Sequence, residues 1–278
     1  MSRLLLMEGN AREARQRAAT LGVETPGEIY RRALIAEAPE LDIEVMFGAD
    51  PDAALPAGRQ WSDYAGFVIS GSGLHAYDPE PAVTRQIEFM RQAAQAGLPI
   101  LGSCWGLQIA AMAGGGMVAR NEDRAEMGVA RKITPTAEGQ SHPLLAGRPA
   151  AFDAPCIHYD DVTVLPQGSI VLAANRHCPV QAAVIPLERS EVWAVQYHPE
   201  FDLPHIAGLY AMYEEELANS PFFESVQAVR AHIADLRRVT ETGPHSSIAW
   251  RLGLDSDVLN APTRRTELRN WLHHAVGR

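Results

Sequence analysis

Three short stretches of this 278-residue chain bring together residue types suited to acyl transfer. In Gly102-Ser103-Cys104-Trp105-Gly106, a cysteine separates an apolar, strand-like run (Leu98–Gly102) from a helix-like run (Trp105–Ala113), with glycines two places before and after it. That is the pattern of a nucleophile elbow, the sharp strand-to-helix turn that lifts a nucleophile above the end of a sheet. Glycine suits the flanks because such a turn brings neighbouring backbone too close for side chains. The turn also seats the sulfur at a helix N-terminus, where free N–H groups and the dipole favour thiolate. The competing reading is a small buried cysteine beside packing glycines, so a base must be found as a second sign.

Val192-Trp193-Ala194-Val195-Gln196-Tyr197-His198-Pro199-Glu200 supplies one. An apolar strand delivers His198 at its end, and strand alternation sends His198 and Glu200 to the same side. Glu200 then orients an imidazole whose other nitrogen faces a thiol, giving a predicted triad of Cys104, His198 and Glu200. A third stretch, Phe67-Val68-Ile69-Ser70-Gly71-Ser72-Gly73, is a strand ending in alternating Ser and Gly. Read blandly it is a turn. Read chemically, an amide of Gly71 or Ser72 joins that of Trp105 to form an oxyanion hole.

The ordered combination of GSCWGLQ, VQYHPE and VISGSG resembles the class I glutamine amidotransferases, most of all the glutaminase domain of GMP synthetase, from about Leu4 to Glu200. The resemblance implies thioester chemistry on the γ-amide of glutamine with release of ammonia, Cys104 as nucleophile, His198 as base and Glu200 as its orienter. It also implies that Gln108 helps hold glutamine. Cys156-Ile157-His158-Tyr159-Asp160-Asp161-Val162 resembles the family's Ser-His-Gly-Asp segment, which makes His158 and Tyr159 candidates at the amino-acid end of the substrate. Two departures stand out: Trp105 replaces the usual Tyr, Leu or Phe, and Ser72-Gly73 replaces Gly-Pro. No synthetase or other acceptor domain is recognisable after Asp202, so the resemblance implies a separate synthetase as partner. The related intracellular-protease-like fold places His directly after the nucleophile, where this chain has Trp105.

The remaining chemistry-bearing residues are weaker. His177-Cys178 lacks a second close ligand pair at zinc spacing, so it reads as structural and no metal is expected. His273-His274 reads as solvated. Ser70-Gly71-Ser72-Gly73 has neither the Lys of a phosphate loop nor dinucleotide spacing, and no cofactor is expected.

Positioning such a site takes an α/β fold: a mostly parallel open sheet with helices on both faces, flavodoxin-like under the resemblance, plus a helical C-terminal extension. The expected strands are Arg3–Met7, Asp42–Phe47, Gly66–Ser70, Leu98–Gly102, Ile170–Ala174, Val180–Ile185 and Val192–Tyr197. Thr25-Pro26-Gly27-Glu28 is a capping box opening a helix through Glu37. Val83, Ile87, Met90 and Ala94 share one face of a second helix, closed by Gly97 and Pro99. We expect one domain over residues 1–215 and a helical extension over 216–278 packed on it. In that extension a helix opening at Ser220-Pro221 carries Phe222, Val226, Val229, Ile233 and Leu236, and a last segment groups Leu268, Trp271, Leu272 and Val276.

Composition bounds the function classes. Lys plus Arg number 24 against 34 Asp plus Glu, a formal net charge of −10, which disfavours nucleic-acid and anionic-membrane surfaces. Three cysteines, Cys104, Cys156 and Cys178, do not make a disulfide framework, and a cytoplasmic location is expected. Residues 99–119 carry no charge over about a membrane-spanning length, but their glycines and strand-turn-helix grammar speak for a buried sheet centre. Three functions follow: a glutaminase feeding ammonia to a synthetase, a stand-alone hydrolase of γ-glutamyl amides, and a binding or regulatory protein retaining the fold. The small-molecule partner in the first two is glutamine or a γ-glutamyl compound, and a homo-oligomer is compatible with all three.

Overall fold

The computed structural model of the protein describes residues 2–121 and 125–277. Its strands are β1 (Arg3–Glu8), β2 (Asp42–Phe47), β3 (Gly66–Ile69), β4 (Ile100–Ser103), β5 (Met117–Arg120), β6 (Glu126–Pro135), β7 (Phe152–His158), β8 (Asp160–Val164), β9 (Ile170–Ala174), β10 (Ala182–Leu187) and β11 (Ser190–Val195). Its helices are α1 (Arg12–Thr20), α2 (Pro26–Glu37), α3 (Pro81–Gln95), α4 (Trp105–Ala113), α5 (Ala137–Ser141), α6 (Leu203–Met212), α7 (Glu214–Ala218), α8 (Val226–Thr242), α9 (Ser247–Arg251), α10 (Ser256–Leu259), α11 (Ala261–Arg264) and α12 (Thr266–Val276).

Nine strands form one sheet in the order β2-β1-β3-β4-β11-β10-β9-β6-β7, and β5 pairs with β8 apart from it. The five strands from β2 to β11 run parallel, and the ladder from β11 through β10, β9, β6 and β7 is antiparallel. The predicted α/β class therefore describes the molecule, with the parallel half carrying the elbow.

Side-chain alternation along β1 explains the two helical layers. Leu4 and Leu6 point into a core shared with Tyr30, Ala33 and Leu34 of α2 and with Leu268, Trp271 and Leu272 of α12. Leu5 and Met7 point the other way, onto Met90, Ala93 and Ala94 of α3 and Leu107, Ala110 and Ala111 of α4. The Thr25–Glu28 capping box is formed, with each side chain bonded to the other's backbone N–H. Among the described residues no helix is long and apolar enough to cross a membrane, and the uncharged stretch over 99–119 is β4, the elbow, α4 and the start of β5.

The tail adds a third core from Ile206 and Tyr210 of α6 and Val229, Ile233 and Leu236 of α8. Its last helix reaches the main sheet. A side chain at Gly66 would strike the Trp271 ring 2.8 Å away, and Glu267 lies fully buried against Arg148 (2.7 Å) and Tyr197 (2.8 Å). The expected division after residue 215 falls inside α7. One expectation fails locally: α8 starts at Val226, not at Ser220-Pro221, so Phe222 precedes it. Ser225 caps this later start by accepting from the Ala228 N–H, whereas Ser220 closes the turn before it by donating to Leu217. Likewise β4, β10 and β11 are each displaced by about two residues from their predicted bounds, with consequences at the site.

Candidate active site

β4 ends at Ser103, and the next residue breaks the ordinary backbone pattern. Cys104 has φ 51° and ψ −95°, one of three described non-glycine residues at positive φ. Such a conformation costs on the order of 1–3 kcal/mol and persists only where its surroundings impose it. They do. The Cys104 N–H donates to Val195 at the end of β11 (2.7 Å), and α4 starts immediately after the turn. A side chain on Gly102 would sit 2.6 Å from the Gly106 carbonyl carbon, so the flanking glycines are there for close approach. Cys104 Sγ rests 3.8 Å from the Ile157 carbonyl oxygen, just inside the 156–162 segment.

His198 and Glu200 come together by a different route from the one expected. β11 stops at Val195, so both lie beyond the strand, and alternation plays no part. A turn does the work: the Phe201 N–H donates to the His198 carbonyl (3.2 Å), with Pro199 at the position that favours such a turn. His198 Nδ1 bonds Glu200 Oε1 at 2.7 Å, which leaves Nε2 for the thiol. Phe201 stacks on the imidazole at 3.8 Å and 4°, and the His198 N–H donates to Pro155 (2.8 Å). Burial works against a charged imidazole here, but the Glu200 carboxylate and the hydrogen bond with Cys104 outweigh it and push His198 up to about 9.

The predicted oxyanion loop lies against this pair. A Cβ on Gly71 would meet His198 Cε1 at 2.8 Å. The loop is tied to the end of β1: Gly9 N–H donates to Ser70 Oγ (3.1 Å), Ser72 Oγ to the Gly9 carbonyl (2.9 Å), and Gly73 N–H to Asn10 Oδ1 (2.9 Å). These bonds use the amide of Gly73, and Leu74 N–H goes to Ser72 Oγ (3.1 Å). The amides of Gly71 and Ser72 are not drawn into this set. Trp105, in the first turn of α4, offers a third N–H without an intrahelical acceptor. Its indole is fully buried and donates to Gln86 (2.9 Å), which accounts for the Trp that departs from the family pattern.

The candidate substrate residues divide. Gln108 Nε2 donates to the Asp160 carbonyl (2.9 Å), joining α4 to the 156–162 segment. His158 is almost fully buried. It is buried between Glu126 (3.0 Å) and Asp161 (3.2 Å); burial alone would lower it, but the two carboxylates push it up to about 10. Tyr159 is exposed, with Arg120 over its ring at 5.4 Å. Sequence reasoning missed Asp160 as a tie point. His75 Nδ1 lies 2.6 Å and Tyr77 Oη 3.4 Å from its carboxylate, and the two rings stack at 5.3 Å. Only the place of Asp160 inside the 156–162 segment hinted at this.

A second Cys-His-Asp grouping, Cys178 with His158 and Asp161, lies nearby. Burial pushes the Cys178 thiol up, and its Sγ donates to Val180 (3.4 Å), the reverse of what a nucleophile needs. His274, expected to be solvated, is exposed but stacks on Trp193 at 4.2 Å.

A model of the class I glutamine amidotransferases matches residues 30–206. The whole chain is similar to a gamma-glutamyl-L-1-hydroxyisopropylamide hydrolase from a Pseudomonas species, 33% identical over 99% of this chain and 93% of that protein. A glutamine-hydrolysing GMP synthase from Thermomicrobium roseum is 34% identical over 49% of this chain but only 23% of its own length. The fold is also that of a glutamine amidotransferase crystal structure from Thermotoga maritima, with TM-score 0.70, 16% identity, and coverage of 100% of this chain and 99% of that one. With a family model across most of its length and an elbow, an imidazole–carboxylate pair and an amide-rich loop meeting at one sheet edge, the chain belongs to the class I glutamine amidotransferases.

Proposed function

We propose that this hydrolase cleaves γ-glutamyl amides and releases glutamate and an amine. The observation that carries the reading is the reach of the similarity. The γ-glutamyl-amide hydrolase is matched along 99% of the chain, helical tail included, whereas the GMP synthase is matched over 49%.

The geometry of the site supports the following roles. Cys104, as thiolate beside a charged His198, attacks the γ-carbonyl carbon. The developing oxyanion is met by the Trp105 amide and an amide of Gly71 or Ser72, dipoles already fixed before reaction. His198 gives its proton to the departing nitrogen, the amine leaves, and a thioester remains. His198 then takes a proton from water, which attacks the thioester and frees glutamate. Glu200 holds the imidazole by Nδ1 throughout, and the cycle uses only side chains, amides and water. The 156–162 backbone, buttressed by Gln108, would receive the α-amino and α-carboxylate end, while Leu74, His75 and Tyr77 border the leaving-group side.

The second reading is glutamine hydrolysis with ammonia passed to a separate synthetase, and the match to GMP synthases favours it. Both share every step and differ only in the leaving group. Comparison of kcat/KM for glutamine and for γ-glutamyl-N-alkylamides decides between them. The proposal expects alkylamides to be preferred by at least tenfold without any partner. Preference for glutamine, or activity appearing only with a synthetase, overturns it.

A further inference from the structure

Behind the 156–162 segment, three chemically distinct ligand types converge from separate elements. His158 ends β7, Asp161 lies in β8 and Cys178 lies in the connection from β9 to β10. All three are buried, and their ligand atoms lie within 4.8 Å of one another. We infer that His158 Nδ1, Asp161 Oδ1 and Cys178 Sγ form a binding site for a thiophilic divalent metal ion of the zinc class.

The spacing of the three groups and the contacts around them point to a ligand at this place. Asp161 Oδ1 is buried and sits 3.2 Å from His158 Nδ1. Tetrahedral zinc with bonds of about 2.0–2.1 Å to N and O separates two such ligands by about 3.3 Å, so this pair already has the spacing. Sulfur at about 2.3 Å from the metal belongs about 3.6 Å from each of them, a contraction of at most about 1.2 Å from the 4.8 Å within which the ligand atoms now lie. The outer groups are also in place. Glu126 Oε2 takes the far nitrogen of His158 (3.0 Å), the carboxylate–histidine arrangement that orients a ligating imidazole. Asn121 Nδ2 donates to the other oxygen of Asp161 (2.6 Å), and Asn175 Oδ1 accepts from the Cys178 N–H (2.7 Å), holding the loop that carries the thiol. A thiolate, an imidazole and a carboxylate select zinc or cobalt over magnesium or calcium.

Binding replaces the thiol proton of Cys178 and the Nδ1 proton of His158 with metal, and both protons leave to solvent. Three protein ligands leave a fourth position for water. The site would brace the segment whose Ile157 carbonyl meets Cys104 and whose Asp160 carbonyl holds Gln108, so its role is positional. It does not depend on which amide is the substrate. Sequence spacing concealed it because the partners of Cys178 are His158 and Asp161, brought in from other strands.

The test is titration of the full-length, metal-stripped Cys104→Ala protein with Co2+, which removes the catalytic thiol as a competing ligand. One Co2+ per chain is expected, with a thiolate-to-cobalt charge-transfer band, and Zn2+ should displace it and raise Tm. Cys178→Ser in the same background should lose the band, and Asp161→Asn should weaken binding at least tenfold. Absence of stoichiometric binding by Cys104→Ala, or a band surviving Cys178→Ser, overturns the site. If Cys178→Ser does not fold, Asp161→Asn keeps the thiol and the side-chain volume, and unchanged affinity there overturns it equally.

Discussion

Adding one methyl group at Gly71 tests the site more sharply than removing the nucleophile does. The new Cβ would lie 2.8 Å from His198 Cε1, about 0.6 Å inside the ordinary contact limit of 3.4 Å. The imidazole has nowhere easy to go, because Phe201 stacks on it at 3.8 Å and Glu200 holds Nδ1 at 2.7 Å. Either the ring or the oxyanion loop must move by about half an ångström. Overpacking of this kind costs about 1–3 kcal/mol of stability. Misplacement of a reacting group by about 1 Å can cost 10²-fold in rate, so Gly71→Ala should lose about 10- to 100-fold in kcat. Gly73→Ala is the control: it lies in the same loop, its nearest neighbours are at 3.9 Å, and its N–H bond to Asn10 survives. Steady-state kinetics on a γ-glutamyl amide, run below the Tm of both variants, would read the difference. Equal losses in the two variants, or wild-type kcat in Gly71→Ala, would refute the placement of this loop against the base.

Cys104→Ala should abolish hydrolysis while staying folded, and Cys104→Gly should be equally inactive but about 1 kcal/mol or more stabler than Cys104→Ala, because glycine relieves the positive φ; equal Tm values would count against strain at the elbow. Holding His198 up at about 9, against an ordinary 6.5, has two consequences. A raised value means its contribution to stability is complete below about pH 6.5 and lost as pH rises through about 9. The kcat/KM profile should also fall near pH 9 as the proton donor to the amine is lost. In Glu200→Gln that limb should move to lower pH and the rate fall by about 10–10⁴-fold, and an unmoved limb would remove Glu200 from its role. Glu267→Gln strips a carboxylate from buried Arg148 and should cost about 3–5 kcal/mol by chemical denaturation while sparing kcat at low temperature.

What the amino-acid order determines by itself here is local. Gly102 to Gly106 spell a strand, a forced turn and a helix in consecutive residues, and the alternation Leu4-Leu5-Leu6-Met7 requires a sheet covered on both faces. Cys104 could therefore be picked out, and His198-Pro199-Glu200 lie close enough in the chain for any compact turn to join imidazole and carboxylate. Strand alternation does not join them, however, because the β11 ladder ends at Val195 and a proline turn takes over. Capping chemistry likewise located α2 but misplaced the start of α8, where Ser220 and Ser225 are both cap-competent residue types and Ser225 is the one that accepts an N–H of the helix.

Everything that depends on long sequence separation was decided by tertiary structure. Asp160 meets His75 across 85 residues, Glu126 reaches His158 across 32, and Arg148 finds Glu267 across 119. No periodicity encodes such pairs, since each exists only where strand order and crossover place two chain segments side by side. The cluster of His158, Asp161 and Cys178 is the clearest instance. The end of β7, the separately paired strand β8 and the β9–β10 connection bring its three residues together. Burial then supplies the rest of the chemistry: a low-dielectric interior strengthens the attraction of Glu200 for His198 and of Glu126 and Asp161 for His158, effects that residue order alone does not contain.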